Sequence, residues 1–258
     1  MNDIELLQVL ASAADDISLA RFRALDLVVE AKPDRTPVTD ADKAVEGKLR
    51  ELLKLYRPTD EVIGEEMDKT GDSNRSWIID PIDGTANYLR GVPIWGTLIA
   101  LRVDGEITTS IISAPALGRR WWAGKGRGAF TKDIDGSVRK ITVSKIAKLE
   151  DSTLSFNSLE QWRNQGLLEQ LLELSTNVSR TRAYGDFLSY MFVAEGAIEI
   201  ASEHDLKIHD IAALVPILTE AGGRITDLQR ELTDDSSSVI ATNSLLHQAV
   251  QDALKQEA

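Results

Sequence analysis

The first 56 residues contain two stretches in which apolar side chains recur at helical spacing. Ile4 to Leu25 and Asp42 to Tyr56 both alternate clustered apolar residues with charged ones. This periodicity predicts two amphipathic helices. Further along, the pattern changes to short β-branched and apolar runs between glycine turns, which predicts strands.

The clearest pair of predicted strands surrounds an Asp-Gly dipeptide. Leu98 to Val103 and Ile107 to Ile112 are apolar runs, and Asp104-Gly105 lies between them. An Asp-Gly pair between such runs favours a tight primed turn. We therefore predict a β-hairpin here, with further strand from Trp121 to Phe130, so that the first half of the chain is α+β.

The rest of the chain alternates predicted strands and helices after a boundary near Ser144 to Asp151. Such alternation is typical of an α/β layer. We therefore expect an N-terminal half, residues 1–145, and a C-terminal half, residues 146–258. The predicted strands are 153–156, 197–201 and 238–241, and the predicted helices are 159–175, 186–195, 210–221 and 243–256.

One apolar run leads directly into two closely spaced carboxylates. The segment Trp77 to Ile79 predicts a buried strand, and the proline and glycine that follow are expected to turn the chain off the sheet beside Asp80 and Asp83. Gly84 would let its own amide and that of Thr85 point outward, where amides bind anions. Carboxylates for a hard cation beside amides for a phosphate indicate metal-assisted phosphoryl chemistry. An ordinary Asp-Pro-x-Asp-Gly surface turn fits the same residues.

Three further acids occur in related local patterns. Glu65 follows a short apolar pair and Gly64, and is a candidate third ligand. Asp210 precedes an apolar, alanine-containing segment, and Asp40 precedes the helix predicted from Asp42. An acid suits the start of a helix. Both aspartates also fit the role of a simple helix cap.

Three motifs in this order carry a resemblance over nearly the whole chain. They are Gly64-Glu65-Glu66, Asp80-Pro81-Ile82-Asp83-Gly84-Thr85-x-Asn87-Tyr88, and Asp210-x-Ala212-Ala213 followed by Glu220-Ala221-Gly222-Gly223. Together they resemble the inositol monophosphatase superfamily. Three other segments are more similar to its histidinol-phosphate phosphatase branch than to the inositol branch: Arg90 to Trp95, Ala114 to Trp122, and Tyr184 to Tyr190. The resemblance implies a layered αβαβα sandwich with the site between the halves.

The resemblance also implies a magnesium site with two or three ions, which Mn²⁺ could replace. Glu65, Asp80 and the backbone carbonyl of Ile82 would hold one ion. Asp80, Asp83 and Asp210 would hold a second, so that Asp80 bridges the two. Two cations lower the pKa of bound water and neutralise charge on the attacking and leaving oxygens.

The same resemblance implies catalytic roles for Asp40, Thr85 and Glu65. Asp40 would form a hydrogen bond with Thr85, whose hydroxyl would orient a metal-bound water toward phosphorus. No covalent phosphoenzyme is expected. Because the cations would activate the water and neutralise charge, the protein needs mainly to position the reacting groups.

An additional carboxylate sets the predicted substrate pocket apart. Asp186 stands where inositol enzymes usually have Ser or Thr, and Glu203 matches the position that contacts the leaving alcohol. With Asp205, these acids could pair with the amine or imidazole of histidinol, whereas a neutral inositol ring gains nothing from them. Asp186 could equally cap the following helix. The predicted substrate-binding residues are Asp83, Gly84, Thr85, Arg182, Asp186, Glu203 and Asp210.

Two departures from the family pattern, and the tryptophans, bear on this interpretation. His209 replaces a common tryptophan beside Asp210, and a shorter filler is favoured over a hydrogen-bond donor. Ala86 stands where the histidinol branch often has a lysine, which removes a positive charge beside the phosphate. Trp95, Trp121 and Trp122 fit a core or a subunit contact better than a stacking platform for imidazole.

Composition excludes several other kinds of site. The 258 residues carry a formal charge of −12, with no cysteine and three histidines. The charge argues against nucleic acid or an anionic membrane as a partner and makes divalent cations necessary for a phosphate to approach. Thiol chemistry is excluded, and the scattered histidines show no zinc pattern. Without a basic flank or a membrane-length apolar run, we expect a cytoplasmic enzyme, and the resemblance suggests a homodimer.

The sequence therefore predicts a magnesium-dependent phosphomonoesterase acting on a small phosphorylated metabolite, with L-histidinol phosphate favoured. Inositol 1-phosphate is the nearest rival, ahead of adenosine 3',5'-bisphosphate and fructose 1,6-bisphosphate. A protein of a different class would be a catalytically silent metal-binding scaffold. The complete set of predicted metal and water-orienting residues argues against that alternative.

Overall fold

The computed structural model describes residues 1–31 and 36–255. Its helices are α1 Asp3–Arg21, α2 Asp40–Tyr56, α3 Thr85–Leu89, α4 Leu159–Asn164, α5 Leu168–Asn177, α6 Asp186–Ala194, α7 Ile208–Ala212, α8 Leu214–Glu220 and α9 His247–Ala253. Its strands are β1 Val29–Ala31, β2 Pro37–Thr39, β3 Glu61–Gly64, β4 Arg75–Asp83, β5 Gly96–Val103, β6 Glu106–Ala114, β7 Arg119–Gly124, β8 Gly128–Lys132, β9 Val138–Ile141, β10 Thr153–Phe156, β11 Arg180–Arg182, β12 Ile200–His204, β13 Arg224–Thr226 and β14 Ser238–Thr242.

Two sheets organise the described part of the chain, beside the small β1–β2 ribbon. The first has the order β3-β4-β5-β6-β7-β8-β9, and the second has the order β11-β10-β12-β14-β13. In the first sheet only β3 and β4 run parallel, whereas β10 in the second sheet pairs in parallel with both β11 and β12. The first sheet lies within residues 1–145 and the second within residues 146–258.

The two sheets separate three layers of helix. Successive side chains of β4 point to opposite faces, as in any strand. Trp77 and Ile79 pack with Leu10 of α1 and Leu49 of α2 in an outer cluster. On the other face, Ile78 belongs to the cluster that α6, α7 and α8 share with both sheets. Helices α4, α5 and α9 cover the far face of the second sheet. The predicted αβαβα sandwich is confirmed.

The predicted hairpin is also confirmed, and its turn has the expected backbone. Strands β5 and β6 pair antiparallel, with Val103 opposite Glu106. Asp104 and Gly105 have φ angles of +50° and +84°. Positive φ at both central residues is the requirement of a type I′ turn.

Several predicted boundaries differ from the structure for identifiable reasons. The helix predicted over 159–175 is split into α4 and α5, because Gly166 between them has a φ of +70°. The helix predicted over 210–221 is likewise two short helices, α7 and α8. The first helix ends at Arg21 rather than Leu25, and the strand predicted over 197–201 lies at Ile200–His204. The predicted end of the last helix, at 256, lies outside the described residues.

Strand β4 corrects the expectation that the chain leaves the sheet at Pro81. The strand continues to Asp83, and its pairing with β5 shifts register between Asp80 and Asp83. The pairing with β3 ends at Ile79, so no backbone N–H donor is needed from Pro81 on that side of the strand. A bulge of this kind re-aims side chains at a strand end.

Candidate active site

Three carboxylates converge at the end of β4. Single oxygens of Asp80, Asp83 and Asp210 all lie within 4.8 Å of one another. Asp80 and Asp83 belong to β4, whereas Asp210 belongs to the first turn of α7. The second half of the chain thus brings its acid to the two acids of the first half.

Backbone amides hold two of these acids in place. The Oδ2 atom of Asp83 accepts a hydrogen bond of 2.8 Å from the N–H of Phe187, in the first turn of α6. The Oδ2 atom of Asp210 accepts one of 2.6 Å from the N–H of Lys207, just before α7. Both acids are therefore fixed by backbone N–H groups at helix starts, which favour negative charge.

Burial and like charges work against ionisation of the cluster when no cation is bound. Burial raises the pKa of Asp80 well above its ordinary value, and the neighbouring charges of Glu65, Asp83 and Asp210 raise it further. The pKa of Asp83 is raised well above its ordinary value by burial and by the charges of Asp186 and Asp210. Burial raises the pKa of Asp210 as well. Clustered acids of this kind mark functional sites.

The donor set fits a hard divalent cation. Asp80 is buried, and its Oδ1 atom has no hydrogen-bond partner among the described residues. A buried carboxylate oxygen without a partner is costly unless a cation or water satisfies it. Oxygen ligands from several carboxylates are those that Mg²⁺, Mn²⁺ and Ca²⁺ prefer. The cluster could therefore hold such an ion.

An open cavity of about 420 Å³ lies over the cluster, and we call it the acidic cavity. Its lining is Thr36, Pro37, Glu65, Asp80, Ile82, Asp83, Gly84, Thr85, Ala86, Gln161, Asp186, Asp205, Lys207, His209 and Asp210. It includes the predicted third ligand, Glu65, and the predicted phosphate turn. Gln161 and Lys207 have no counterpart among the predicted site residues, because neither stands in a motif.

Gly84 makes the turn between β4 and α3 possible. Its φ is +84°, and the N–H groups of Asn87 and Tyr88 donate to its carbonyl at 2.9 and 3.0 Å. The amides of Thr85 and Ala86 therefore precede the first intrahelical hydrogen bond of α3, where they are free to face an anion. Behind the turn, the Tyr88 ring packs edge-on to Trp95 with centroids 4.9 Å apart, which anchors α3 to the core.

The structure corrects the predicted contact between Asp40 and Thr85. The Thr85 hydroxyl donates to the carbonyl of Ile82 at 2.9 Å, and Asp40 instead forms an ion pair of 2.7 Å with Arg21. Asp40 is the first residue of α2, and its side chain, 38% exposed, points toward the end of α1. Asp42 lies two positions on, which is 200° around a helix.

Asp42, rather than Asp40, is the buried acid in the first turn of α2. It is fully buried, and its Oδ1 has no hydrogen-bond partner among the described residues. Its Oδ2 accepts from the backbone N–H of Thr39 at 2.7 Å. Burial raises the pKa of Asp42, and the charge of Glu65 also acts to raise it. The helical periodicity of α2 could have indicated Asp42, since it falls on the same apolar face as Val45 and Leu49.

The carbonyl of Ile82 remains able to bind a cation. It accepts the Thr85 hydroxyl, but a carbonyl oxygen has a second lone pair. Ile82 also lines the acidic cavity, although its side chain is buried in the core. The hydrogen bond fixes the Thr85 hydroxyl beside a candidate ligand atom.

His209 is turned into the acidic cavity rather than acting only as filler. Its Nε2 atom lies 3.9 Å from Oε1 of Glu65 and 3.8 Å from Oδ1 of Asp210. These distances are too long for direct hydrogen bonds. They permit attraction to both carboxylates when the imidazole is protonated, or a bridging water.

A second cavity, of about 750 Å³, adjoins the first, and we call it the side cavity. The two share Asp83, Asp186, Asp205, Asp210 and Gln161. Glu203, Tyr184 and Phe156 also line the side cavity, together with Asn157 and Leu159. The side cavity therefore opens from the acidic cavity and shares five lining residues with it.

Asp186 does not cap its helix. The helix cap is Gly185, and Asp186 is the first helical residue, held at a φ of +48°. Its Oδ2 instead accepts a hydrogen bond of 2.7 Å from Nδ2 of Asn87. Burial and then the charge of Asp210 raise the pKa of Asp186 to about 6. Positive φ in a residue other than glycine is strained, and such strain concentrates at functional sites.

Glu203 is the most enclosed acid of the side cavity. It lies on β12 with only 4% of its surface exposed, and its Oε1 has no hydrogen-bond partner within residues 1–31 and 36–255. Burial and the charges of Asp186 and Asp210 raise its pKa well above the ordinary value. A cationic group in the side cavity would relieve this unfavourable charge.

Arg182 is placed differently from its prediction. It ends β11, at the edge of the second sheet, and donates to the carbonyl of Thr181 at 2.7 Å. It is exposed and belongs to the lining of neither cavity, within the part of the chain described. Trp95 and Trp121 are fully buried in the core, as the preferred interpretation had it, and Trp122 stacks on Phe130 away from both cavities.

Known proteins provide an independent comparison with this geometry. The model of the inositol monophosphatase family matches residues 3–257. The chain belongs to the inositol monophosphatase family. A histidinol-phosphatase from Mycobacterium tuberculosis is 50% identical, with 96% of each chain covered. A second histidinol-phosphatase, from Streptomyces coelicolor, is 47% identical and covers 99% of this chain and 98% of its own length.

Other members of the family are more distant. An inositol-1-monophosphatase from Caulobacter vibrioides is 31% identical, over 89% of this chain and 91% of its own. Among solved structures, a Thermotoga maritima IMPase has a TM-score of 0.88 at 27% identity, with 98% of this chain and 97% of that chain covered. The chain therefore lies in the histidinol-phosphatase branch of the inositol monophosphatase superfamily, and it is a phosphoric monoester hydrolase of a metal-dependent family. No described helix is long and apolar enough to cross a membrane.

Proposed function

We propose that this enzyme hydrolyses L-histidinol phosphate to L-histidinol and phosphate, with Mg²⁺ as cofactor and histidine biosynthesis as its pathway. The observation that carries the substrate choice is the half-buried Asp186, held by Asn87 at the junction of the two cavities. Its carboxylate and that of Glu203 add negative charge where the leaving group lies. The similarity to two histidinol-phosphatases supports the same substrate.

Charge distinguishes this substrate from its rivals. Histidinol carries an amine and an imidazole that titrates near neutrality, so either group can pair with the acids of the side cavity. Inositol offers only hydroxyl groups, and fructose and adenosine phosphates add further negative charge. Like charges facing each other in a buried site are unfavourable. The side cavity therefore favours the cationic leaving group.

Glu65, Asp80, Asp83, Asp210 and the Ile82 carbonyl would hold the cations. When bound, Mg²⁺ supplies an activated water and neutralises charge on the phosphate oxygens. The chain's own contribution is position. The Gly84 turn presents free amides to the phosphate, and the Thr85 hydroxyl stays fixed beside Ile82. Asp42, buried with one oxygen unsatisfied, replaces Asp40 as the candidate partner of the attacking water.

The proposed division of labour follows the two sheets. The N-terminal half, residues 1–145, would supply most metal ligands and the phosphate turn. The C-terminal half, residues 146–258, would supply Asp210, Asp186 and Glu203. The homodimer and the cytoplasmic location stay predictions from the family resemblance, and light scattering on the purified protein would test the first.

The test compares phosphate release from L-histidinol phosphate and inositol 1-phosphate in the wild type and in Asp186→Asn. Asparagine keeps the shape and an oxygen to accept from Asn87 but removes the charge. We expect kcat/KM for histidinol phosphate to fall roughly a hundredfold, about 2.7 kcal/mol, while inositol phosphate changes little. Asp205→Asn is the matched control, since Asp205 lines the same cavities but is exposed, and should lower the rate less. An equal loss on both substrates would reject the role of Asp186.

A further inference from the structure

Helix α2 carries a buried carboxylate directly behind the loop that holds Glu65. Glu46 is fully buried, and it follows Asp42 by one turn of the helix. Its Oε2 atom accepts a hydrogen bond of 2.8 Å from the backbone N–H of Glu66. The bonded amide is adjacent in sequence to the candidate metal ligand, so the carboxylate fixes the backbone of Glu65 from behind.

Arg50 completes the contact one helical turn later. Its Nε donates to Oε1 of Glu46 at 2.8 Å, and its other nitrogens donate to Oγ1 of Thr70 at 3.0 Å and to the carbonyl of Met67 at 3.1 Å. The guanidinium thus offsets the charge of Glu46 and ties the same loop at two further points. A planar fork of donors is suited to such multiple contacts, and a lysine cannot reproduce it.

Gly64 provides the space for this contact. A Cβ at position 64 would lie 1.9 Å from Oε1 of Glu46, far inside contact distance. The loop is closed on its other side by paired backbone hydrogen bonds of 2.8 and 3.0 Å between Val62 and Thr70. Residues 64–70 are therefore clamped to α2 by a glycine, a glutamate and an arginine together.

We propose that Glu46 and Arg50 are positioning residues for the cation site, acting through Glu65. This role rests on the proposed metal ligands and belongs to a buried ion pair that lines neither cavity. Groups that orient metal ligands from behind typically change metal affinity about 10- to 100-fold when they are replaced. A buried pair kept only for stability would not change that affinity.

The experiment measures Mn²⁺ binding to the purified protein without substrate, counting free Mn²⁺ by electron paramagnetic resonance. We expect Glu46→Gln to raise the dissociation constant of Mn²⁺ roughly tenfold. The matched control is Glu195→Gln. Glu195 is also a nearly buried acid, 8% exposed, that accepts from Arg119 at 2.8 Å and from Trp121 Nε1 at 2.6 Å. This variant should lose thermal stability but keep Mn²⁺ affinity within twofold.

Two further variants separate the outcomes. Glu65→Gln tests the ligand itself: if it leaves Mn²⁺ binding unchanged, the proposed metal site is wrong. If Glu65→Gln weakens binding but Glu46→Gln does not, only the positioning role is overturned. Should Glu46→Gln fail to fold, Arg50→Lys keeps a cation at a position that is 13% exposed and is expected to raise the dissociation constant several-fold. Unchanged Mn²⁺ affinity in a folded Arg50→Lys protein would then reject the inference.

Discussion

Asp83 contributes a charge to the carboxylate cluster and also accepts a hydrogen bond from the start of helix α6. One substitution can separate these two functions. Asparagine at this position can still accept the hydrogen bond from the N–H of Phe187, so the start of α6 should stay in place. It removes one of three clustered charges, however. We expect Asp83→Asn to lower Mg²⁺-dependent kcat/KM by roughly a hundredfold or more, since metal ions contribute several kcal/mol to such reactions.

The thermal midpoint provides a check on the same variant. In excess chelator, Asp83→Asn should unfold at a temperature equal to or above that of the wild type, because repulsion from Asp186 and Asp210 is relieved. In excess Mg²⁺ the order should reverse. Full activity in Asp83→Asn, or a large loss of stability in chelator, would show that Asp83 has been assigned wrongly.

At this scale the sequence indicated the acids of the cluster but not their partners. The order of motifs pointed to Asp80, Asp83 and Asp210, because the first two follow an apolar run into a turn, whereas Asp210 precedes an apolar segment at a helix start. Asp40 was taken for Asp42 because both lie in the first turn of one helix, and only the rotation of α2 decides which of them is buried. The Asn87–Asp186 contact spans 99 positions, and no local pattern could reveal it.

At the scale of elements, the turn between β4 and α3 depends on Gly84. A Cβ there would lie 2.9 Å from the carbonyl of Ile94 and 3.3 Å from Oδ2 of Asp186, in addition to the strain of a φ of +84°. We expect Gly84→Ala to lower activity at least tenfold and to destabilise the fold by about 1–3 kcal/mol. Gly105→Ala is the control, because it has the same φ and nothing within 4 Å. It should share the loss of stability in urea denaturation while keeping its activity.

The elements that could be predicted are those that local sequence determines. The β5–β6 hairpin was found because Asp104-Gly105 fixes its turn locally. The division between α4 and α5 was missed because the apolar spacing continues across Gly166, whose positive φ ends the helical path. The continuation of β4 through Pro81 was missed for a different reason: it depends on β3 ending early, which is a property of the neighbouring strand.

At the scale of the whole molecule, the layers bring four elements to one point. The ends of β3 and β4 come from the first sheet, whereas the starts of α6 and α7 come from the helical layer between the sheets. Each element presents an acid, in a chain that already carries a formal charge of −12. The site is therefore stable only to the extent that protons or cations compensate its negative charge.

This arrangement predicts an unusual pH dependence of the metal-free protein. Burial raises the pKa of Asp186 from 3.8 to about 6, so the folded state binds a proton that the unfolded state has lost between these values. The contribution of this group to stability is complete below about pH 4 and is lost as pH rises through 6. Asp80, Asp83 and Glu203, whose pKa values are also raised, act in the same direction and extend the loss upward.

Cations should reverse that loss, because they bind the deprotonated carboxylates. We expect the rise in thermal midpoint on exchanging chelator for saturating Mg²⁺ to be small near pH 5 and to grow toward pH 8. Acids outside the site also make stability depend on pH. The hydrogen bond from Arg139 lowers the pKa of Asp133, for example, so this acid stabilises the fold more as pH rises. Taking the difference between Mg²⁺ and chelator at each pH removes such contributions. Differential scanning calorimetry in matched buffers measures it directly. Because Asp83→Asn removes one of the titrating groups, the rise in thermal midpoint should depend less on pH in that variant. If the rise in the wild type did not depend on pH, the buried acids would not form the cation site.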